Sequence, residues 1–124
     1  MDKDERSNYR EYLIEQLDMA VLYERYPYDR EILDSILDMM LDVICSKRKT
    51  IRIAGDDKPV NVVKGRFMKL TIEHIRYVMN CLQENTTKIR SIKQYMLAAL
   101  YNAPSTIDGY YRAEVNHDMA TGLI

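Results

Sequence analysis

One segment limits the architecture more than any other. From Asp29 the chain reads DREILDSILDMMLDVIC, and Ile32, Leu33, Ile36, Leu37, Met40, Val43 and Ile44 recur at steps of three and four. That period marks one side of an α-helix, and the stripe is wide enough for a helix at the centre of a core. Asp29 is placed to cap its start. Glu31 near the positive end, and Lys47, Arg48 and Lys49 just past the negative end, complement the helix dipole. A helix this apolar has to be covered, so the rest of the chain must supply amphipathic partners.

The flanking sequence supplies them. Ser7 or Asn8 can cap a first helix with Leu13, Leu17, Ala20 and Val21 inward and Tyr9 and Tyr12 beside them. Residues 1–6 read as a loose, charged lead-in. RYPYD ends this helix, because Pro27 removes a backbone donor and biases Tyr26 away from helix. Thr50 to Ile53 are β-type residues followed by turn chemistry in AGDDK, which predicts a short strand or hairpin near 50–60. Pro59 then opens a helix, VNVVKGRFMKL, with Val60, Val63 and Phe67 inward. Gly65 inside it costs about 1 kcal/mol relative to Ala, a cost that close backbone packing would explain.

Two further helices follow. Thr71 caps one with Ile72, Ile75, Val78, Met79 and Leu82 inward, ending at Asn85. Thr86 or Thr87 caps the next, with Ile89, Ile92, Met96, Ala99 and Leu100 on one face. Pro104 is expected to stop it, with Ser105 capping a last helix and 119–124 forming a loose tail. The fold class is therefore mainly α: a compact bundle of five or six helices with a minor β element. A length of 124 residues suits one domain, at roughly 100–200 residues each. Four glycines and three prolines are too few for a sandwich or barrel. No apolar run reaches the roughly 18 residues of a membrane span, and the start lacks a signal-peptide core. The expectation is a soluble, cytoplasmic chain without a membrane partner.

Charge is unevenly spread. Residues 1–45 hold five Lys/Arg and twelve Asp/Glu, whereas residues 46–93 hold twelve and four. The basic middle supplies the candidate binding residues for phosphate or an acidic partner: Lys47, Arg48, Lys49, Arg52, Lys64, Arg66, Lys69, Lys88, Arg90 and Lys93. Tyr95 and Tyr101 are candidates for stacking on bases, although tyrosines at helical spacing also serve as core-edge residues. Ordinary exposed charge is the competing account of the cations. Asp34, Asp38 and Asp42 stack on one helical face, read as solvated or as facing basic groups ahead of any metal site. Cys45 and Cys81 read as reduced thiols outside any zinc pattern. His74 and His117 read as surface or capping groups. No phosphate loop, nucleophile elbow or metalloprotease motif occurs, so no catalytic residue and no cofactor is assigned.

Three strings carry a family likeness: CSKRKTIRIAGDDKPVNVVKGRFMKL, CLQENTTKIRSIKQYMLAALYNAPSTI and YYRAEVNHDM. Together they resemble the C-terminal domain of RepA-type replication initiators from plasmids and mobile elements of Gram-positive bacteria, over about residues 9–119. The resemblance implies an origin-binding winged-helix domain upstream and a C-terminal module similar to DnaD-like helical domains. It implies a non-catalytic accessory role, docking host primosome proteins such as primase or helicase-loading factors at an origin. Direct DNA binding through residues 47–93 is the alternative, and homo-oligomerisation a further one. DnaD-like domains carry large residues where this chain has Ala99 and Ala103, which sets their single-strand contact apart from this helix.

Overall fold

The computed structural model describes residues 3–84 and 91–121, with side chains described for 4–84 and 91–107. Within these residues the order is α1 (Lys3–Gln16), α2 (Met19–Arg25), α3 (Arg30–Ile44), β1 (Thr50–Ile53), β2 (Asp56–Pro59), α4 (Val60–Met68), α5 (Ile72–Glu84) and α6 (Ile92–Thr121). The mainly helical class with a hairpin near 50–60 holds.

α3 is the central helix. Every stripe residue named above is buried except Ile32, which packs half-buried against the core. Met39 and Leu41 are buried too, so α3 is covered on more sides than its stripe implied. It packs against α1, α2, α4 and α6, while α5 packs on α6 and α2. Phe67, Leu37, Leu33 and Leu13 are fully buried at the middle. Among the described residues no polar or charged side chain is buried.

The first helical segment departs from expectation. α1 begins at Lys3, ahead of Ser7 and Asn8, so part of the expected lead-in is helical. The helix then stops at Gln16, and Asp18 takes a left-handed conformation (φ 53°) before α2. That residue re-phases the apolar stripe. Leu13 and Leu17 stay buried, but Met19 and Leu22 turn inward while Ala20 and Val21 face solvent. A continuous helical period could not anticipate the switch, because one left-handed residue rotates everything after it.

The hairpin is antiparallel, with Ile51 opposite Lys58 and Ile53 opposite Asp56. Ala54 (φ 54°) and Gly55 (φ 86°) form its two-residue turn, both at positive φ as a type I′ turn requires. The hairpin lies against α4 and α6, and Ile53 is buried. Pro59 ends β2 and sits at the N-cap position of α4, one residue before its expected place. Gly65 has open space where a side chain would project, so close packing does not explain it.

Two caps come from unexpected groups. The Thr71 backbone N–H donates to His74 Nδ1 at 2.9 Å, while the Thr71 carbonyl accepts the His74 backbone N–H at 3.1 Å. This is one half of a capping box with histidine in the acidic residue's place; the Thr71 hydroxyl lies 3.1 Å from the same His74 Nδ1 rather than on a backbone N–H. Ser91 caps α6, its Oγ accepting the Gln94 N–H at 3.2 Å. The caps proposed at Thr86 or Thr87, and the end at Asn85, lie outside the described residues. Asp29 holds the N-cap position of α3, but its carboxylate accepts from Gln83 at 3.4 Å instead of capping.

Pro104 does not end α6, which runs through it. A proline in a helix leaves the carbonyl four residues back without a donor and crowds that turn. Here Arg66 of α4 reaches across, its Nε and Nη2 donating to the Tyr101 carbonyl at 2.9 and 2.7 Å. Its guanidinium also lies 4.4 Å from the centre of the Tyr101 ring. The carbonyl that Pro104 leaves without its helical donor is that of Leu100; Arg66 instead ties the next carbonyl of the same turn to α4, and the proline is an internal feature of α6. The inward face of α6 is Met96, Leu97, Leu100, Ala103 and Ile107. Ile92, expected inward, is 55% exposed.

Candidate partner-binding cleft

The loop after α3, strand β1 and the first turn of α6 meet around a cleft of about 350 Å³. Three of the expected cations line it: Arg48 from the loop, Arg52 from β1 and Lys93 from α6. Its carbon surface comes from Met39, Val43, Ile51 and Leu97, and Asp42, paired with Arg6, is the one carboxylate on its wall among the described residues. The chain separates Arg48 from Lys93 by most of the fold's middle, and tertiary packing alone brings them together. Arg52 pairs across the hairpin with Asp57 at 3.3 Å, both side chains about two-thirds exposed. That pairing is solvent-screened and easily exchanged for another anion. Among the described residues Arg48 and Lys93 make no ion pair. The positive end of the α6 dipole lies on the same side.

The other expected cations are divided among different tasks. Arg66 is committed to the Tyr101 carbonyl. Lys64, half-buried on α4, acts with Arg6 on the Cys45 thiol, although burial is the larger influence and raises the thiol's pKa. Lys69 is the exposed C-cap residue of α4. Lys47 and Lys49 are exposed beside the hairpin. Lys88 and Arg90 lie outside the described residues. The basic middle is therefore not one uniform belt: it contributes one cleft and several separate groups.

The stacking candidates fare differently. Tyr101 already carries Arg66 against its ring, 4.4 Å from its centre, and Lys58 at 5.1 Å. Tyr95 is half-buried in a small cleft of about 190 Å³ with Tyr77, Cys81 and Asn102. Tyr77 has its pKa pushed up to about 12, first by burial and then by the adjacent Cys81. Ala103 is fully buried, which explains why no large side chain occupies that position.

The aspartate ladder meets cations from α1 rather than from the basic middle. Arg6 pairs with Asp42 at 3.0 Å and Arg10 with Asp38 at 3.4 Å, while Tyr23 donates its hydroxyl to Asp34. Each step of four forward along α1 matches a step of four back along α3, as antiparallel helices demand. Burial, and then Asp34, raises the Tyr23 pKa. Among the described residues no group of three His, Cys, Asp or Glu side chains is arranged to hold a metal ion.

Sequence reasoning named the three cations of the cleft but missed its apolar floor. Met39 and Leu97 lie off the stripes read from periodicity. The signal available was the density of apolar residues in MMLDVI and YMLAAL, which exceeds what one face needs.

Residues 1–122 match a family described as a family of unknown function, DUF6017. The chain belongs to that family. Neither the curated proteins nor the solved structures contain a match to it. Among the described residues no helix is long and apolar enough to cross a membrane.

Proposed function

We propose that this DUF6017 domain is a non-catalytic docking module of a DNA replication initiator. In this reading it couples the origin complex of a plasmid or mobile element to host replication proteins, such as primase or helicase-loading factors. The compartment is then the cytoplasm. The resemblance to RepA-type C-terminal domains supplies the biological setting. The cleft supplies the observation that carries the reading: cations from three separate segments border an apolar floor, the composition of a protein-recognition surface.

Direct binding to DNA is the competing reading, and salt separates the two. Three phosphate contacts give a slope near −2.7 in log affinity against log salt, about a 40-fold loss over a fourfold rise in salt. A docking face with apolar anchors keeps much of its affinity over that range. The test measures binding of the chain to purified host primase, helicase-loading proteins and origin DNA at low and fourfold higher salt. A replication protein should bind, with moderate salt dependence, and binding should fall when Arg48, Arg52 and Lys93 are reversed to Glu. Binding to DNA alone with the steep slope, or protein binding indifferent to the reversal, overturns the proposal.

A further inference from the structure

We infer that the cleft between α3, β1 and the first turn of α6 takes a short acidic segment of a partner protein bearing one or two apolar anchor side chains. The inference rests on the docking reading and names its ligand. The reason is charge complementarity over carbon. Arg48 and Arg52 enter from the hairpin side and Lys93 from the α6 side, while Asp42, the one carboxylate at the cleft among the described residues, is already paired with Arg6; half-buried Ile51 and the edges of Val43 and Leu97 present apolar surface to the same space. A carboxylate-rich segment answers the cations, but only a segment with an aliphatic or aromatic side chain also covers the floor. A nucleic-acid backbone would leave that floor unused, and the Tyr101 ring, the other stacking candidate, already holds Arg66 and Lys58 against it. A volume of about 350 Å³ is at the low end of the roughly 300–1,000 Å³ typical of ligand sites, which suits an anchor side chain and its neighbours.

The experiment titrates the 124-residue chain into a fluorescein-labelled acidic peptide, with aspartates on both sides of a Leu-Phe pair, followed by anisotropy. Saturable binding is expected. It should weaken at least about tenfold with the double variant Arg48→Glu/Lys93→Glu, and comparably when the peptide's Leu-Phe becomes Ser-Ser. Circular dichroism melting checks that the variant folds; if it does not, Arg48→Gln/Lys93→Gln replaces it with the same direction expected. An absence of binding overturns the inference, as does equal affinity for an all-aspartate peptide. Displacement by oligothymidylate with a steep salt slope overturns it in favour of phosphate. Self-association of the chain through the same two residues, seen by sedimentation, overturns it in favour of a second copy.

The two proposals can fail separately. A chain that binds a host replication protein but not the peptide keeps the docking role and loses this cleft as its seat. A chain that binds the peptide but no replication protein keeps the cleft and loses the replication setting.

Discussion

At the scale of single residues, one backbone position and one hydroxyl expose the physics best. Ala54 holds φ 54° in the hairpin turn, where a Cβ costs of the order of 1 kcal/mol and asparagine is tolerated. Ala54→Asn should therefore raise stability by up to about 1 kcal/mol, read as a higher urea midpoint with an unchanged slope. Tyr77 is a second case. Its folded pKa of about 12 lies above the ordinary 10.0, so the folded state holds the phenolic proton more tightly. That contribution is complete below pH 10 and is lost as pH rises toward 12. Tyr77→Phe should flatten the alkaline fall in melting temperature across this window, and a slope equal to wild type would refute the assignment. Neither property was legible in sequence. The turn at AGDDK was, but the register that puts Ala54 at positive φ depends on how the two strands pair.

At the scale of elements, the outcome turned on groups contributed by neighbours. The stripe on α3 was readable because its period is unbroken and its burial is nearly complete. α1 and α2 were read as one helix because Leu13, Leu17, Ala20 and Val21 continue a plausible face. Burying Met19 and Leu22 against α3 and α5 outweighed the cost of a left-handed Asp18. α1 is also tied to the end of α4, where the Tyr12 hydroxyl donates to the Met68 carbonyl at 3.0 Å and the Gln16 amide to that of Leu70 at 3.1 Å. Pro104 teaches the same lesson. Its helix runs on past the proline, and Arg66 of α4 ties the same turn to the bundle through the carbonyl of Tyr101. Arg66→Met should cost about 1.5–3 kcal/mol, the range for hydrogen bonds from a charged group. A loss below about 0.5 kcal/mol in chemical denaturation would show that the arginine does not anchor α6 to α4.

At the scale of the whole molecule, the division of charge is resolved locally rather than by one half neutralising the other. The acidic ladder of α3 is matched by Arg6 and Arg10 of α1, in pairs whose side chains remain substantially exposed. Such pairs help fix how two helices align and add little to stability. The basic middle is thereby left to other uses. Packing gathers Arg48, Arg52 and Lys93 at one cleft and assigns Arg66 to structure. The cohesion of the molecule comes from the apolar cluster around Phe67 and α3, in which no described polar side chain is buried. A packed core with charge confined to its surface suits the docking role proposed above, in which the face is ready before a partner arrives.

The sequence by itself determined the helical class, the central place of α3, the hairpin near 50–60 and the identity of the cations. All of these follow from local period, turn chemistry and composition, which act over a few neighbouring residues. Only the tertiary structure decided that Asp18 would divide the first helix, that Pro104 would lie inside the last, and which cations would meet over an apolar floor. Those outcomes depend on contacts between residues distant in the chain, where burial against a partner element overrides local preference.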